Sequence, residues 1–216
     1  LRADLKPTST TSSVPSTAAQ DRHTFGERLK KTRKANGWTL QKLAEISGVS
    51  ITTISRAERG QIALGYDNIS ALGHALKFDI AELFSKDSEA PTPFSRPIVT
   101  RSGDGVSYDG STVSYEFLNS SASGKKMSPV LATIHSRSVD GPESFVQHPG
   151  EEFVYVLSGA IDVHFDTGEL IKLGRGDSLY FDSRIGHTYV STSRQLAKVI
   201  AVLTEEPKVK TRRPTR

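Results

Sequence analysis

Residues 25–60 read FGERLKKTRKANGWTLQKLAEISGVSITTISRAERG, and this stretch decides the front half of the chain. Phe25 and Leu29, then Leu40, Leu43 and Ile46, recur at helical spacing, and Asn36-Gly37, Gly48 and Gly60 punctuate them. Arg28, Lys30, Lys31, Arg33 and Lys34 take the polar faces of the first helix. Thr39 is placed to cap a second helix, Leu40 to Glu45. Ser47-Gly48-Val49 makes a tight turn, Ser50 caps a third helix from Ile51 to Glu58, and Arg59-Gly60 ends it. Leu43, Ala44, Val49 and Ile54 have the spacing to pack inward, and Ala44 is small where the two helices approach. Two short helices joined by a glycine turn are the geometry that lays the second in a DNA major groove.

The rest of the chain differs. Residues 1–20, rich in Ser and Thr, hold too few large apolar side chains to offset ordering entropy, and we expect a disordered tail there. Residues 21–84 form the helical domain. Residues 85–97 (SKDSEAPTPFSRP) are a Pro-containing linker. From residue 98 to 204 the apolar pattern switches to period two in VSYEFL, VLATIH, EFVYVL, IDVHF, SLYF and AKVIAVL, which predicts an all-β sandwich or barrel. Residues 205–216 are a basic tail expected to be disordered. The basic excess lies in the helical domain and this tail, and 94–204 is mildly acidic, as suits a front half that faces nucleic acid.

Composition excludes several classes. The chain has 216 residues and no cysteine, so disulfides, thiolate zinc sites, Fe–S clusters and cysteine nucleophiles are ruled out. No apolar run is long enough to span a membrane and no signal peptide opens the chain, so a cytoplasmic location is expected. The only methionine is Met127, which leaves the true N-terminus open. There is no phosphate-binding loop of the Walker type, no dinucleotide fingerprint, and no serine with a convincing histidine partner.

The front stretch resembles the Xre family of lambda-type repressors, through R-x-x-x-G-x-T-x-x-x-L-A and then G-V-S-x-x-x-I-S-R-x-E-R-G. The resemblance spans about residues 24–84 and implies a five-helix DNA-binding domain, with supporting helices near Asn68–Leu76 and Ile80–Phe84. By position it implies base readers at Ile51, Thr52 and Arg56, with Thr53 and Ser55 behind them and phosphate contacts from Thr39 and Arg59. Arg56 is suited to a bidentate bond to guanine. Arg33 and Glu58 fall where family members hold a buried ion pair.

In the second half, HPGEEFVYVLSG (148–159) and GRGDSLYFDSRIGH (174–187) carry the chemistry. His148 and Glu152 are four apart across a Pro-Gly turn, and His187 follows Gly176 by eleven residues. Two imidazoles and a carboxylate facing one point suit non-haem Fe(II), and also Mn or Zn. These stretches resemble the cupins, small double-stranded β-helix barrels. Glu152 and Gly159 match the end of the first cupin motif, and Gly176 to His187 match the second. The family's other histidine is replaced by Val146, its Pro and Gly by Asp182 and Arg184, and its final Asn by Ser191. Three of four usual metal ligands therefore stand, at His148, Glu152 and His187. Two readings follow: a site for one divalent metal (Fe, Mn or Zn), or a polar lining for a small-molecule cavity. His135 and His164 are expected on the wall or surface. Arg137, Tyr155, Tyr180 and Phe181 are expected in the pocket or wall, and Phe145 and Phe153 in the core.

Together the halves make an α+β two-domain protein similar to bacterial Xre–cupin transcriptional regulators. The resemblance implies a non-enzyme that binds a pseudo-palindromic operator in double-stranded DNA, dimerises through its cupin domain and senses a small-molecule effector in the barrel. The alternative is a mononuclear Fe(II) oxygenase like the hydroxypropylphosphonic acid epoxidases, which share the domain order and the His-x3-Glu…His spacing. Those enzymes use a lysine from the helical domain, whose position here falls near Gly37. The S-R-x-E-R-G helix favours DNA.

Overall fold

The computed structural model describes residues 17–77, 92–93 and 95–204. Four helices open it: α1 (Thr17–Ala35), α2 (Leu40–Ser47), α3 (Ile51–Glu58) and α4 (Tyr66–Leu76). The helix starts at Thr17, inside the segment expected to be disordered, so that expectation is corrected for its last four residues. The fifth helix expected at Ile80–Phe84 lies outside the described residues, as do residues 1–16, residues 205–216 and, of the linker expected at 85–97, residues 85–91 and 94. Thr39 and Ser50 cap α2 and α3 as expected, accepting hydrogen bonds from the Lys42 and Thr53 backbone N–H groups. Each such cap contributes about 1 kcal/mol. Gly48 takes φ 75°, a left-handed turn that a β-carbon would strain, and this turn sets the angle between α2 and α3. Leu29, Leu43, Ile54, Ile69 and Leu72 are fully buried between the helices.

The remaining elements are strands: β1 (Thr92–Pro93), β2 (Val106–Asp109), β3 (Val113–Phe117), β4 (Ala122–Ser123) and β5 (Met127–Ile134), then β6 (Glu151–Ser158), β7 (Ala160–Phe165) and β8 (Leu170–Gly174), and finally β9 (Ser178–Asp182), β10 (His187–Ser191) and β11 (Ala197–Thr204). A six-stranded sheet in the order β2-β3-β5-β11-β6-β9 faces a three-stranded sheet in the order β10-β7-β8, and a bridge from Val146 to His187 extends the smaller one. The end of the expected linker is itself paired: β1 runs parallel to β4. Strict alternation builds the barrel interior. In β6, residues 152, 154 and 156 are buried and 151, 153 and 155 exposed.

That alternation decides which way three aromatic side chains face. Glu152 faces inward, so Phe153 and Tyr155 face out, and both are more than a third exposed. Tyr180, opposite Phe153 on β9, is 62% exposed. Phe153 is therefore not core, and of the pocket or wall positions expected for Tyr155 and Tyr180 both take the outer face of the barrel wall. Phe145 is only half-buried. Arg137 also leaves the pocket and donates to the backbone carbonyls of Ser191, Ser193 and Arg194.

The two domains pack on each other. Phe25 of α1 lies 5.5 Å, centroid to centroid, from Tyr108 of β2, and Tyr108 is fully buried. Burial pushes the Tyr108 hydroxyl up to about 12, and the backbone N–H of Leu64 donates to its oxygen.

Candidate functional site

The first candidate site is the face of α3. Ile51 is 46% exposed, and Thr52, Arg56 and Arg59 are exposed beside it, with Thr53 and Ser55 half-buried. Thr53 accepts or donates a hydroxyl bond with Ser50, and Arg59 donates to Ser55 and to Gln61, so these side chains are held in place along the helix. Thr39 stands exposed at the start of α2, its hydroxyl bound to the Lys42 N–H. The one acid of α3, Glu58, is turned away. It is buried against Arg33 of α1 in a two-pronged pair at 2.6 and 2.8 Å. The hydrogen bond to Glu58 holds the Arg33 guanidinium above its ordinary pKa despite desolvation. Arg33 also donates to the Trp38 carbonyl, tying α1 to the turn before α2. Burying Glu58 leaves the outward face of α3 without a carboxylate, which a phosphate-lined groove requires.

The second candidate site is the barrel interior. His148, Glu152 and His187 converge there, as their spacing predicts. Their candidate donor atoms lie within 4.8 Å of one another, and all three side chains are buried. Gly150 makes the convergence possible. It has φ 102°, and a β-carbon there would strike the Thr204 carbonyl oxygen, so only glycine lets the chain turn tightly from His148 into β6. His148 Nε2 and His187 Nε2 sit 3.2 and 3.4 Å from Glu152 Oε2. Two donors each about 2.1 Å from a shared ion are separated by such distances, so this set fits a divalent metal. The Nδ1 of His187 lies 2.9 Å from the Ile185 carbonyl, which fixes the tautomer and frees Nε2 to ligate. Burial would raise the Glu152 carboxyl, but hydrogen bonds and charge from His148 and His187 outweigh it and hold it at about 2. His135, bound to Ser114, and His164, paired with Thr188 across β7 and β10, are outside the cluster.

Around the triad lies a cavity of about 80 Å³. Tyr115, Val130, Ala132, Val199 and Ala201 form its apolar side. Tyr189 was not singled out by sequence reasoning. Its place two residues after His187 on β10 turns it to the same face, and its hydroxyl donates to Glu152 Oε1 at 2.7 Å. Burial pushes that hydroxyl well above its ordinary pKa, with the Glu152 charge adding to the effect. Phe181 is no cavity wall, but it packs edge-on against His187 at 4.8 Å. Sequence reasoning also missed Tyr115 and, from the helical domain, Gly65 and Tyr66, which carry no local signal of this role.

Comparison with known proteins agrees with this division. Residues 29–83 match the helix-turn-helix family, and residues 132–203 match the cupin domain family. The HTH-type transcriptional regulator PuuR of Escherichia coli K12 is 23% identical over 179 residues, covering 83% of this chain and 94% of that one. An HTH_3-family transcriptional regulator from Vibrio cholerae, of known structure, superposes with a TM-score of 0.62 at 18% identity, covering 88% of this chain and all of that one. Hydroxypropylphosphonic acid epoxidase from S. wedmorenis in complex with fosfomycin superposes with a TM-score of 0.42 at 20% identity, covering 85% of this chain and 98% of that one. So loose an overlap carries no argument. Among the described residues, no helix is long and apolar enough to cross a membrane.

Proposed function

The chain is a helix-turn-helix protein of the Xre type with a C-terminal cupin domain, and from that premise we propose how it works as a DNA-binding transcriptional regulator. The α3 face reads an operator, and the cupin cavity holds the effector that modulates the reading. The observation that carries this is the acid-free outward face of α3. Arg56 and Thr52 stand exposed at groove-reading positions while Glu58 is committed to Arg33. Ile51 and Thr52 meet thymine methyls, and Arg56 takes a guanine edge. Thr53 and Ser55 support them, and Thr39 and Arg59 hold phosphates. A mobility shift on DNA from upstream of the protein's own gene tests this. Binding should be specific and fall steeply with salt, because phosphate contacts release counterions.

In the cavity, His148, Glu152 and His187 would hold one divalent ion (Fe, Mn or Zn), with Tyr189 orienting the carboxylate. Such an ion supplies open coordination positions to an oxygen or nitrogen donor of an effector. Metal content of the purified protein, with and without His187→Ala, tests the triad. One ion per chain that is lost in the variant supports it.

Dimerisation completes the reading, since paired recognition helices match a pseudo-palindromic operator. The outer face of the six-stranded sheet fits that role. Tyr180, Phe153, Val202 and Pro129 form one cross-strand row, and Tyr155, Ile200 and Leu131 form the next. Both rows are at least partly exposed. A contiguous apolar face of this kind suits isologous packing against a second copy.

An Fe(II) oxygenase shares the triad. Among the described residues, the cavity lining holds no lysine or arginine of the kind that the epoxidase resemblance implies, and the helical domain supplies Gly65 and Tyr66. We therefore assign this chain no reaction.

A further inference from the structure

We infer that the effector cavity is a composite of both domains, walled in part by Tyr66 of the DNA-binding domain, so that an occupant in contact with Tyr66 is coupled to the docking of that domain on the barrel. The inference rests on the reading of the barrel as the effector site.

Tyr66 is the first residue of α4, a position that is usually solvated, yet it is only 7% exposed. Its ring meets His148 edge-on at 5.1 Å and lies 6.2 Å from Tyr115. It thus packs directly on the triad at His148. The backbone around it is held by the cupin domain as well. The cap residue of α4 is Gly65, and it offers no side-chain hydrogen bond to the start of its own helix. The first amides of a helix need outside partners. Here Tyr108 accepts from the Leu64 N–H, and the Tyr115 hydroxyl is hydrogen-bonded to the Tyr66 backbone. Both tyrosines belong to the barrel, so the barrel holds the turn into α4 at Leu64 and the first helical residue at Tyr66.

The shared wall gives the coupling. Tyr66 lines the cavity together with His148, Glu152 and His187. An occupant in contact with Tyr66 therefore differs in affinity for the docked and undocked states, and that difference is what lets it shift the equilibrium. Tyr66 is rigidly part of α4, whose Ile69 and Leu72 are fully buried in the helical core with Leu43 of α2 and Ile54 of α3. Displacing Tyr66 therefore moves the reading head as a unit. The face of α3 stays exposed in the docked state. Docking thus sets where the head sits rather than whether it is covered.

The chain has no cysteine, so two can be introduced for spin labels, at Lys34 of α1 and Lys172 of β8. Both positions are exposed. Pulsed electron paramagnetic resonance on the full chain should give one narrow distance distribution, unchanged when Co(II) is added alone. Tyr66→Ala should broaden and lengthen it. Co(II) release to a chelator should be about tenfold faster in Tyr66→Ala, with the aromatic contact to His148 removed. Tyr66→Phe should behave as the parent in both assays. Tyr108→Phe keeps the core filled but loses the bond to Leu64, and it should broaden the distribution in the same sense. This second variant decides the matter if Tyr66→Ala does not fold. A narrow, unshifted distribution in the folded variants would overturn the inference. Absence of Co(II) uptake by the parent would sink the metal reading alone, because the distance measurement needs no metal.

Discussion

Tyr189 donates to Oε1 of Glu152 at 2.7 Å, leaving Oε2 to face both histidines. The carboxylate is thereby oriented by one partner and offered to an ion with its other oxygen. Partners behind a ligand typically change metal affinity by about 10–100-fold. Tyr189→Phe should therefore weaken Co(II) or Zn(II) binding by about that factor while keeping the fold, with the metal-free protein losing about 1–3 kcal/mol because buried Glu152 Oε1 loses its donor. Glu152→Gln should abolish binding. Titration calorimetry separates the two, and equal binding by parent and Tyr189→Phe would remove Tyr189 from the site.

Arg56 and Arg59 should fail differently. Arg56→Ala should cost about 1–3 kcal/mol of specific binding and relax the preference at one base pair. Arg59→Ala should weaken binding about equally on all sequences and reduce the salt slope by about one phosphate. Salt-dependent binding isotherms on specific and scrambled duplexes distinguish these outcomes.

The Arg33–Glu58 pair is buried on both sides, with side chains 9% and 5% exposed. Removing one partner strands the other charge in the helical core. Arg33→Met or Glu58→Leu alone should destabilise the protein by about 3–5 kcal/mol, and the double replacement by clearly less. Denaturant unfolding measures this. A double variant as unstable as the sum of the singles would show that the pair is not coupled.

The exposed aromatic rows on β6 and β9 should hold the dimer. Phe153→Glu with Tyr180→Lys should yield folded monomers in sedimentation velocity, and operator affinity should drop with the loss of the second head. A dimer unaffected by both changes would place the interface elsewhere.

The helix-turn-helix was legible because its determinants are local. The Thr39 and Ser50 caps and the Gly48 turn are each specified within a few residues. The triad was legible for a related reason, since four residues across a Pro-Gly turn and a strand start fix two of its members. Facing was harder. Phe153 reads as core from its chemistry, and only the inward placement of Glu152 forces it out. Strands β2 and β8 are short and break the apolar alternation, which hid them. Tyr66 is unreadable locally, because its burial comes from a domain whose strands begin tens of residues later.

The most direct measurement of the central claim is selection of genomic DNA fragments by the purified chain, followed by footprinting of the best fragment at several salt concentrations. The account predicts protection of a pseudo-palindrome with half-sites about one helical turn apart, lost in Arg56→Ala. Binding with no sequence preference, or specific binding that Arg56→Ala leaves intact, would contradict it.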